Sequence, residues 1–138
     1  MLTIDDYDSI ISLWKSAALP FKPQGRDKKE MIKEQLEKDP DLFIGAFEGK
    51  ELIAAIIGTD DGRKGWINRL AVSPGYRRLG VALKLIEELE VALRKRKRRI
   101  ICTLIEDPNE ASFTLFKKAG YIKHDDIHYL SKREDDDV

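Results

Sequence analysis

Three apolar runs separated by short polar turns restrict the folds open to this chain more than any other feature. The runs cover Phe43 to Phe47, Leu52 to Gly58 and Trp66 to Val72. Glu48-Gly49-Lys50 separates the first two runs, and Asp61-Gly62 gives a hairpin signal before the third. Apolar runs of this length between turn residues are typical of β-strands, and short connections join antiparallel neighbours. The segment therefore predicts a three-stranded antiparallel meander.

A helix and one more buried strand follow the meander. Five apolar residues recur at helical spacing and form one stripe: Ala82, Leu85, Ile86, Leu89 and Leu93. Ile100 to Ile105 is then an apolar run of strand length. A strand-helix-strand unit from Trp66 to Ile105 implies a right-handed crossover to a parallel strand. The sheet is therefore expected to be mixed and mostly antiparallel.

Further elements lie on either side of this unit. Helices are predicted over Thr3 to Ser16, Asp27 to Lys38 and Asn109 to Ala119, and a closing hairpin over Tyr121 to Lys123 and Ile127 to Ser131. The resulting element order is ααβββαβαββ. We expect a single domain over residues 1–138, of the α/β (α+β) class, with about four helices around the sheet.

The composition narrows the function classes. Lys+Arg and Asp+Glu number 25 each, so the overall charge gives no reason to expect a nucleic-acid or membrane partner. No apolar run approaches the ~20 residues of a membrane span, and no signal peptide is recognisable. Cys102 is the single cysteine, which excludes a disulfide framework and a zinc site built on cysteines. A cytoplasmic protein is the expectation.

Two charged clusters admit more than one interpretation. The run from Arg94 to Arg99 favours a helix C-terminus, where cations suit the helix dipole. Nucleic-acid binding and pairing with the acidic tail, Glu134 to Asp137, are the alternatives. The segment from His124 to His128 could be drawn as a metal cluster, but a polar hairpin turn is favoured and no metal is expected.

The start of the long helix lacks the usual cap. Arg77 and Arg78 come just before it, although Ser, Thr, Asp or Asn and first-turn acids are the normal choice. Gly80 and Ala82 leave the backbone accessible. Free N–H groups beside two cations predict a site for a multiply charged anion such as a phosphate. Taken alone, this short pattern also has an alternative to an anion site. In that alternative the two arginines are solvated loop residues and the glycine only relieves a turn.

Two longer stretches carry a family resemblance. LAVSPGYRRLGVALKLIEEL is similar to the [Q/R]-x-x-G-x-[G/A] motif of the Gcn5-related N-acetyltransferase (GNAT) superfamily, which follows a strand ending in an L-x-V-type triplet. NEASFTLFKKAGY resembles the family's N-x-x-A-x-x-L-[Y/F]-x-x-x-G-[F/Y], with Ser112 in place of alanine. The motifs stand at the family's spacing, the resemblance extends over nearly the whole chain, and the predicted element order is the family's.

The resemblance implies an N-acetyltransferase that uses acetyl-CoA as cosubstrate and no metal. The open end of the third strand would pair with the pantetheine arm, and the turn before the long helix would hold the pyrophosphate. The implied cofactor-binding residues are Leu70, Ala71, Val72, Arg77, Arg78, Leu79, Gly80, Val81, Ala82, Leu83, Asn109 and Phe116. An amine would attack the thioester directly, with the Val72 N–H polarising the carbonyl and Phe116 near the sulfur.

The acid-base groups depart from the family pattern. Many relatives have a tyrosine at the Phe116 position as the acid for the thiolate, and Trp66 and Leu104 hold positions where relatives often have glutamate. Glu106 is the nearest carboxylate in the sequence and the candidate base, while a solvated strand-end acid, with ordered water as the catalyst, is the alternative. A CoA-binding module that senses the cofactor without chemistry is therefore the alternative function.

The acceptor and the assembly stay open. In this family the region between the first two helices and the closing hairpin set the acceptor. Here these segments fit a small molecule, an amino acid or a peptide N-terminus equally well, and Arg26 could meet a carboxylate. Relatives usually open with a strand, but only Met1 and Leu2 precede Thr3, so that strand is expected to be short or missing. The uncovered sheet edge predicts a possible homodimer.

Overall fold

In the part of the chain that the structure describes, the fold consists of four α-helices and four β-strands. The computed structural model describes residues 1–19, 21–106 and 109–136. The helices are α1 (Tyr7–Ser16), α2 (Lys29–Lys38), α3 (Val81–Lys95) and α4 (Glu110–Lys118). The strands are β1 (Phe43–Glu48), β2 (Glu51–Asp60), β3 (Gly65–Val72) and β4 (Ile101–Thr103). Short 3-10 turns lie at Ile4–Asp6, Pro40–Leu42 and Pro74–Tyr76.

The sheet has the order β1-β2-β3-β4. β1, β2 and β3 form an antiparallel meander, and β4 pairs with β3 in parallel. The predicted mixed, mostly antiparallel sheet is therefore confirmed. The parallel pairing is short, because it runs only from Gly65 beside Ile101 to Ile67 beside Thr103.

Two hydrophobic clusters cover the two faces of the sheet. α1 and α2 pack on one face, where buried residues include Ile10, Leu13, Trp14, Ile32, Leu36, Ala55, Ile57 and Ala71. α3 packs on the other face together with Phe116 of α4. The buried residues there include Ala54, Ile56, Ile67, Leu85, Ile86, Leu89, Leu93 and Phe116. Because β2 is covered on both faces, its side chains are apolar at successive positions. Gly65 lets α3 approach closely, since a Cβ atom there would lie 2.7 Å from Leu93 Cδ1.

Before Ile4 the structure has no assigned strand, in agreement with the prediction that the first strand is short or missing. The Leu2 N–H donates to the Phe43 carbonyl oxygen at 3.0 Å, and the Leu2 side chain is buried. α1 begins at Tyr7, because the residues predicted as its first turn form a 3-10 turn. The Asp6 carboxylate accepts a hydrogen bond from the Thr3 N–H at 2.8 Å, which satisfies an otherwise open donor.

The predicted closing hairpin is wrong. Residues 121–136 contain a turn at Asp125 and Asp126 but no strand. Three apolar side chains that a hairpin would bury, Ile122, Ile127 and Leu130, are 79%, 69% and 85% exposed. An isolated pair of strands is marginal without a sheet to extend, and β4 offers an edge of only three residues. Two short apolar segments on either side of a polar turn were therefore not enough to form these strands.

The arginine run at the end of α3 connects that helix to carboxylates elsewhere. Arg96 Nη1 lies 2.8 Å from Asp39 Oδ1, and the Arg96 guanidinium also binds Asp41 through both Nε and Nη2. Arg98 Nε lies 2.6 Å from Asp60 Oδ1. The interpretation as a helix C-terminus is confirmed, and these two arginines pair with Asp39, Asp41 and Asp60.

Arg96→Gln is expected to lower the free energy of unfolding by about 2 kcal/mol near neutral pH, because partly buried carboxylates lose their cation. The hydrogen bond from Arg96 holds the pKa of Asp41 below its usual range. A carboxylate with a lowered pKa in the folded state stabilises the fold above its unfolded pKa, and this stabilisation is lost as the pH falls. The difference between variant and parent should therefore shrink from about pH 5 towards pH 3 in urea unfolding.

Arg94→Gln is the matched control for this prediction. Arg94 contacts Glu90 at 3.9 Å and its side chain is 64% exposed. The Glu90 side chain is 13% exposed, but the contact is long and its arginine is solvated, so its loss should cost less than about 1 kcal/mol. An Arg96→Gln effect that stays constant through the acid range would contradict the link to Asp41.

Candidate functional site

A β-bulge in β3 marks the point where the sheet opens. Ile57 of β2 lies opposite Arg69, and Gly58 lies opposite Ile67, so Asn68 is an extra residue with no Cα partner on β2. Its side-chain Nδ2 donates to Thr59 Oγ1 of β2 at 2.9 Å. A bulge bends its strand and increases the local twist. The β3–β4 pairing ends at the same level, where the Thr103 hydroxyl donates to the Ile67 carbonyl oxygen at 2.9 Å. Nothing in the sequence pattern had indicated this bulge.

The backbone of β3 beyond the bulge faces this opening. The Ser73 N–H donates to the Ile53 carbonyl oxygen at 2.7 Å, so the pair formed by these residues is hydrogen-bonded. Hydrogen-bonded and non-hydrogen-bonded pairs alternate along an antiparallel ladder. The N–H and C=O groups of Val72 and Leu70 therefore point away from β2. The Val72 carbonyl oxygen accepts from Arg77 Nε at 3.4 Å, which agrees with this direction.

Among the described residues, β4 has no pairing with Leu70 or Val72, because β4 ends at Thr103. The unpaired edge formed by Leu70 and Val72 is thus available to an extended ligand, which can bind there like an added strand. Ala71 differs from its neighbours, since its side chain is buried against the α1–α2 face and it lies opposite Ala55. We expect Ala71 to contribute spacing rather than a direct contact.

The turn from residue 77 to 80 leads from this edge into α3. Arg78 and Gly80 have positive φ angles of 67° and 81°, and Gly80 is the N-cap of the helix. Among the described residues, no atom would lie within 4 Å of a Cβ atom at Gly80, so the glycine is required by its backbone angle and not by packing. α3 has no side-chain cap and no acid in its first turn.

The first turn of α3 presents donors and positive charge together. The first helical hydrogen bond joins the Lys84 N–H to the Gly80 carbonyl oxygen at 3.1 Å. The amides of Val81, Ala82 and Leu83 therefore have no acceptor within the helix. The exposed side chains of Arg77, Arg78 and Leu79 precede these amides. This arrangement suits a multiply charged anion, since the helix dipole, the amides and the guanidinium groups act in the same direction.

The α4 residues implied by the resemblance have structural partners. Asn109 is the N-cap of α4, and its Oδ1 accepts from the Ser112 N–H at 3.2 Å. Phe116 is buried in the α3 cluster, with its ring 5.2 Å from that of Tyr121 in an edge-to-face contact. The Tyr121 hydroxyl donates to Glu90 Oε2 at 2.7 Å, and burial together with this bond raises the pKa of Tyr121 well above its ordinary value.

The candidate base is Glu106, and Trp66 and Leu104 are the two positions where relatives often have glutamate. Glu106 follows β4 and is exposed. Trp66 Nε1 donates to Asp61 Oδ2 at 3.0 Å, and the Leu104 side chain is 61% exposed. Within residues 1–19, 21–106 and 109–136, no group of three His, Cys, Asp or Glu side chains is placed to hold a metal ion. No helix in these ranges is long and apolar enough to span a membrane.

A second feature, missed from the sequence, is a cavity between α1, α2 and β3 with a volume of about 300 Å³. Its wall consists of Trp14, Arg26, Ile32, Gln35, Ile57, Asn68 and Arg69. Arg69 Nη2 lies 2.8 Å from Asp27 Oδ2, and the guanidinium carbon of Arg69 lies 4.4 Å from the centre of the Trp14 ring. Burial lowers the pKa of Arg69, and the charge of Asp27 opposes that effect.

Asp27 had been predicted as the start of the second helix, which begins at Lys29. It is instead a buried acid that accepts from the Lys22 N–H at 2.5 Å and from Arg69. One signal for Arg69 was available, because it stands two residues before Ala71 and therefore on the same face of β3. A charged side chain in an otherwise apolar strand requires a partner, but the partner's identity was not readable.

Comparison with known proteins shows which family the chain belongs to. The profile of the Acetyltransferase (GNAT) family matches residues 7–121 of the chain. An acetyltransferase of Sodalis glossinidius is 34% identical over 129 residues, which span 94% of this chain and 89% of the relative. The crystal structure of the PaiA N-acetyltransferase of Thermoplasma acidophilum in complex with coenzyme A has a TM-score of 0.75 at 20% identity and covers 85% of this chain and 84% of that one.

The fold also resembles that of an aminoglycoside 6'-N-acetyltransferase of Acinetobacter haemolyticus, with a TM-score of 0.71 at 19% identity over 93% of this chain and 94% of that one. At such identities the two solved structures speak for the fold alone. The family profile includes β3, the turn before α3 and nearly all of the remaining described elements. The chain therefore belongs to the acetyltransferase (GNAT) family and is an N-acetyltransferase.

Proposed function

We propose that the protein transfers an acetyl group from acetyl-CoA directly to a primary amine of a small molecule, an amino acid or a peptide N-terminus. One observation carries the proposal: the unpaired edge of Leu70 and Val72 leads directly into the uncapped first turn of α3. Acetyl-CoA has the matching order of parts, an extended pantetheine arm with amides followed by a pyrophosphate. The PaiA N-acetyltransferase, which shares the fold, was crystallised with coenzyme A.

The edge and the turn would bind different parts of the cosubstrate. Leu70 and Val72 offer N–H and C=O groups to the pantetheine amides, while Arg77, Arg78 and the amides from Leu79 to Leu83 would hold the pyrophosphate. Asn109 and Phe116 are a cap and a core residue in this structure, so we assign them the support of α4 beside the edge. No metal is part of the proposal.

The chemistry requires a polarised thioester and two proton movements. The Val72 N–H would donate to the acetyl carbonyl oxygen while the amine nitrogen attacks the carbonyl carbon. The carbon–sulfur bond then breaks, and CoA leaves as a thiolate. The amine loses one proton and the thiolate gains one, through Glu106 or ordered water, because Phe116 has no proton to give. Assembly as a homodimer and a cytoplasmic location stay predictions.

Amine-dependent release of free CoA thiol is the test of this function. Acetyl-CoA and a panel of primary amines should give thiol together with the acetylated amine, detected by mass spectrometry. Acetyl-CoA that binds in calorimetry but gives no amine-dependent thiol would identify the alternative, a CoA-sensing module. Glu106→Gln tests the base, since a general base contributes about 100- to 10,000-fold and the variant should lose one limb of the pH–rate profile. Glu110→Gln, on the exposed start of α4, is the matched control.

A further inference from the structure

The Arg77 side chain contacts the strand edge at which the acetyl donor is proposed to bind. Arg77 Nε donates to the Val72 carbonyl oxygen at 3.4 Å. The chain turns directly after β3, where the Tyr76 N–H donates to the Ser73 carbonyl oxygen at 2.9 Å in the 3-10 turn Pro74–Tyr76. This turn brings the arginine back beside the last residue of the strand.

The contact uses a group that an extended ligand requires. The Val72 carbonyl points away from β2, so an amide of an added strand would donate to it. Neighbouring strands lie about 4.8 Å apart in the hydrogen-bonding direction. A guanidinium nitrogen 3.4 Å from this oxygen, on its open side, therefore lies where the ligand's amide would bind. Arg77 thus competes with the pantetheine arm for Val72.

The same contact is weak enough to be exchanged. Its length of 3.4 Å exceeds the usual distance of about 2.9 to 3.0 Å for an N–H···O hydrogen bond. Arg77 is exposed, and among the residues that the structure describes the Val72 carbonyl is the one partner of its guanidinium. A hydrogen bond from a guanidinium to a phosphate is charge-assisted and stronger than one to a neutral carbonyl. A phosphate at the nearby first turn of α3 would therefore draw Arg77 away from Val72.

We propose that Arg77 selects the acetyl donor. Before the donor binds, Arg77 covers the Val72 carbonyl, and it leaves this carbonyl for the pyrophosphate when acetyl-CoA binds. An acetyl thioester without a pyrophosphate gives the arginine no new partner and has to compete with it. This role rests on the acetyl-CoA-dependent function proposed above, and it makes Arg77 a positioning residue as well as a source of charge.

The experiment compares S-acetylpantetheine with acetyl-CoA by calorimetry. The two donors share the thioester and the pantetheine arm, and only acetyl-CoA carries the pyrophosphate. Arg77→Ala should raise the affinity for S-acetylpantetheine by about two- to tenfold, the range of one net hydrogen bond, because the Val72 carbonyl is freed. It should lower the affinity for acetyl-CoA by about fivefold or more, because the lost charge-assisted contact outweighs that gain. A substitution that merely disturbed the fold would lower both affinities.

Arg78→Ala is the matched control. Arg78 is the neighbouring exposed arginine, and among the described residues it donates no hydrogen bond to β3. Its φ angle of 67° is adopted by a residue other than glycine already, so alanine brings no new backbone cost. This variant should lower the affinity for acetyl-CoA and leave that for S-acetylpantetheine unchanged.

Three results would overturn the selection of the donor by Arg77. The first is an S-acetylpantetheine affinity that is no higher in Arg77→Ala than in the parent. The second is an equal gain in Arg78→Ala, and the third is an acetyl-CoA affinity that Arg77→Ala leaves unchanged.

Failure of the acetyltransfer function would give a different result. The binding measurements use no acceptor amine, so a protein that binds acetyl-CoA without transferring the acetyl group still tests the role of Arg77. A parent protein that does not bind acetyl-CoA would overturn the proposed function and this role with it. Binding by the parent without opposite changes in Arg77→Ala would overturn the role of Arg77 alone.

Discussion

Gly80→Asp is expected to reduce the affinity for acetyl-CoA by more than about 100-fold, because a like charge placed against a bound anion costs several kcal/mol. The side chain would enter the open space beside the first turn of α3, where no protein atom lies within 4 Å of the Cβ position. That space is the proposed pyrophosphate site. Calorimetry measures the affinity, and the rise in Tm with acetyl-CoA concentration gives a second readout, since a ligand of the folded state stabilises it by mass action.

Gly62→Asp is the matched control for this variant. Gly62 also has a positive φ angle, 90°, and a Cβ atom there would also meet no protein atom within 4 Å. Both substitutions therefore place a non-glycine residue in the left-handed region, at a cost of about 1 kcal/mol. Only Gly80→Asp should lose the stabilisation by acetyl-CoA. Normal binding by Gly80→Asp would show that the anion site is elsewhere.

Asp27→Ala is expected to lower the free energy of unfolding by about 3 kcal/mol or more, because it leaves a buried guanidinium without its carboxylate. The side chains of Arg69 and Asp27 are 13% and 5% exposed, and Asp27 also accepts from the Lys22 N–H. The loss would therefore affect the α1–α2 loop as well as β3. Urea unfolding with an unchanged m-value would measure the change in stability.

Two comparisons make this prediction specific. Glu37→Ala removes an exposed partner of Lys33, whose ion pair spans 3.9 Å, and should cost less than about 0.5 kcal/mol beyond helix propensity. The double variant Asp27→Leu with Arg69→Met replaces the pair by apolar groups and should recover much of the loss, since buried pairs often exchange for apolar residues at little cost. A mild effect of Asp27→Ala, similar to that of Glu37→Ala, would contradict the role of this ion pair.

The predictable parts of the fold are the elements that a local sequence pattern indicates. The strands of the meander were predicted from apolar runs bounded by turn residues, and the helix with Leu85 and Leu89 from its 3.6-residue period. The predicted hairpin after Tyr121 did not form, because pairing also needs a partner edge. Local pattern reports what a segment prefers, while the presence of that edge depends on where β4 ends.

The candidate site likewise has a part that could be predicted from the sequence and a part that could not. The turn at Gly80 was readable because Arg77, Arg78 and Gly80 are neighbours in sequence and the missing cap is a local signal. The cavity was not readable, because Asp27 and Arg69 stand 42 residues apart and meet only when α2 packs on the sheet. The bulge at Asn68 was equally hidden, because it can be recognised only when the register of β3 against β2 is known. Long-range geometry of this kind leaves little trace in a single sequence.

The two faces of the sheet have separate hydrophobic clusters, one under α1 and α2 and one under α3. Substitutions at distant sites without shared partners usually have additive effects. If the turn at Gly80 binds the donor, as we propose, a lineage can vary the wall around Arg26 and Trp14 without disturbing that site. Selection for a new acceptor would then proceed without passing through ancestors that have lost the cosubstrate.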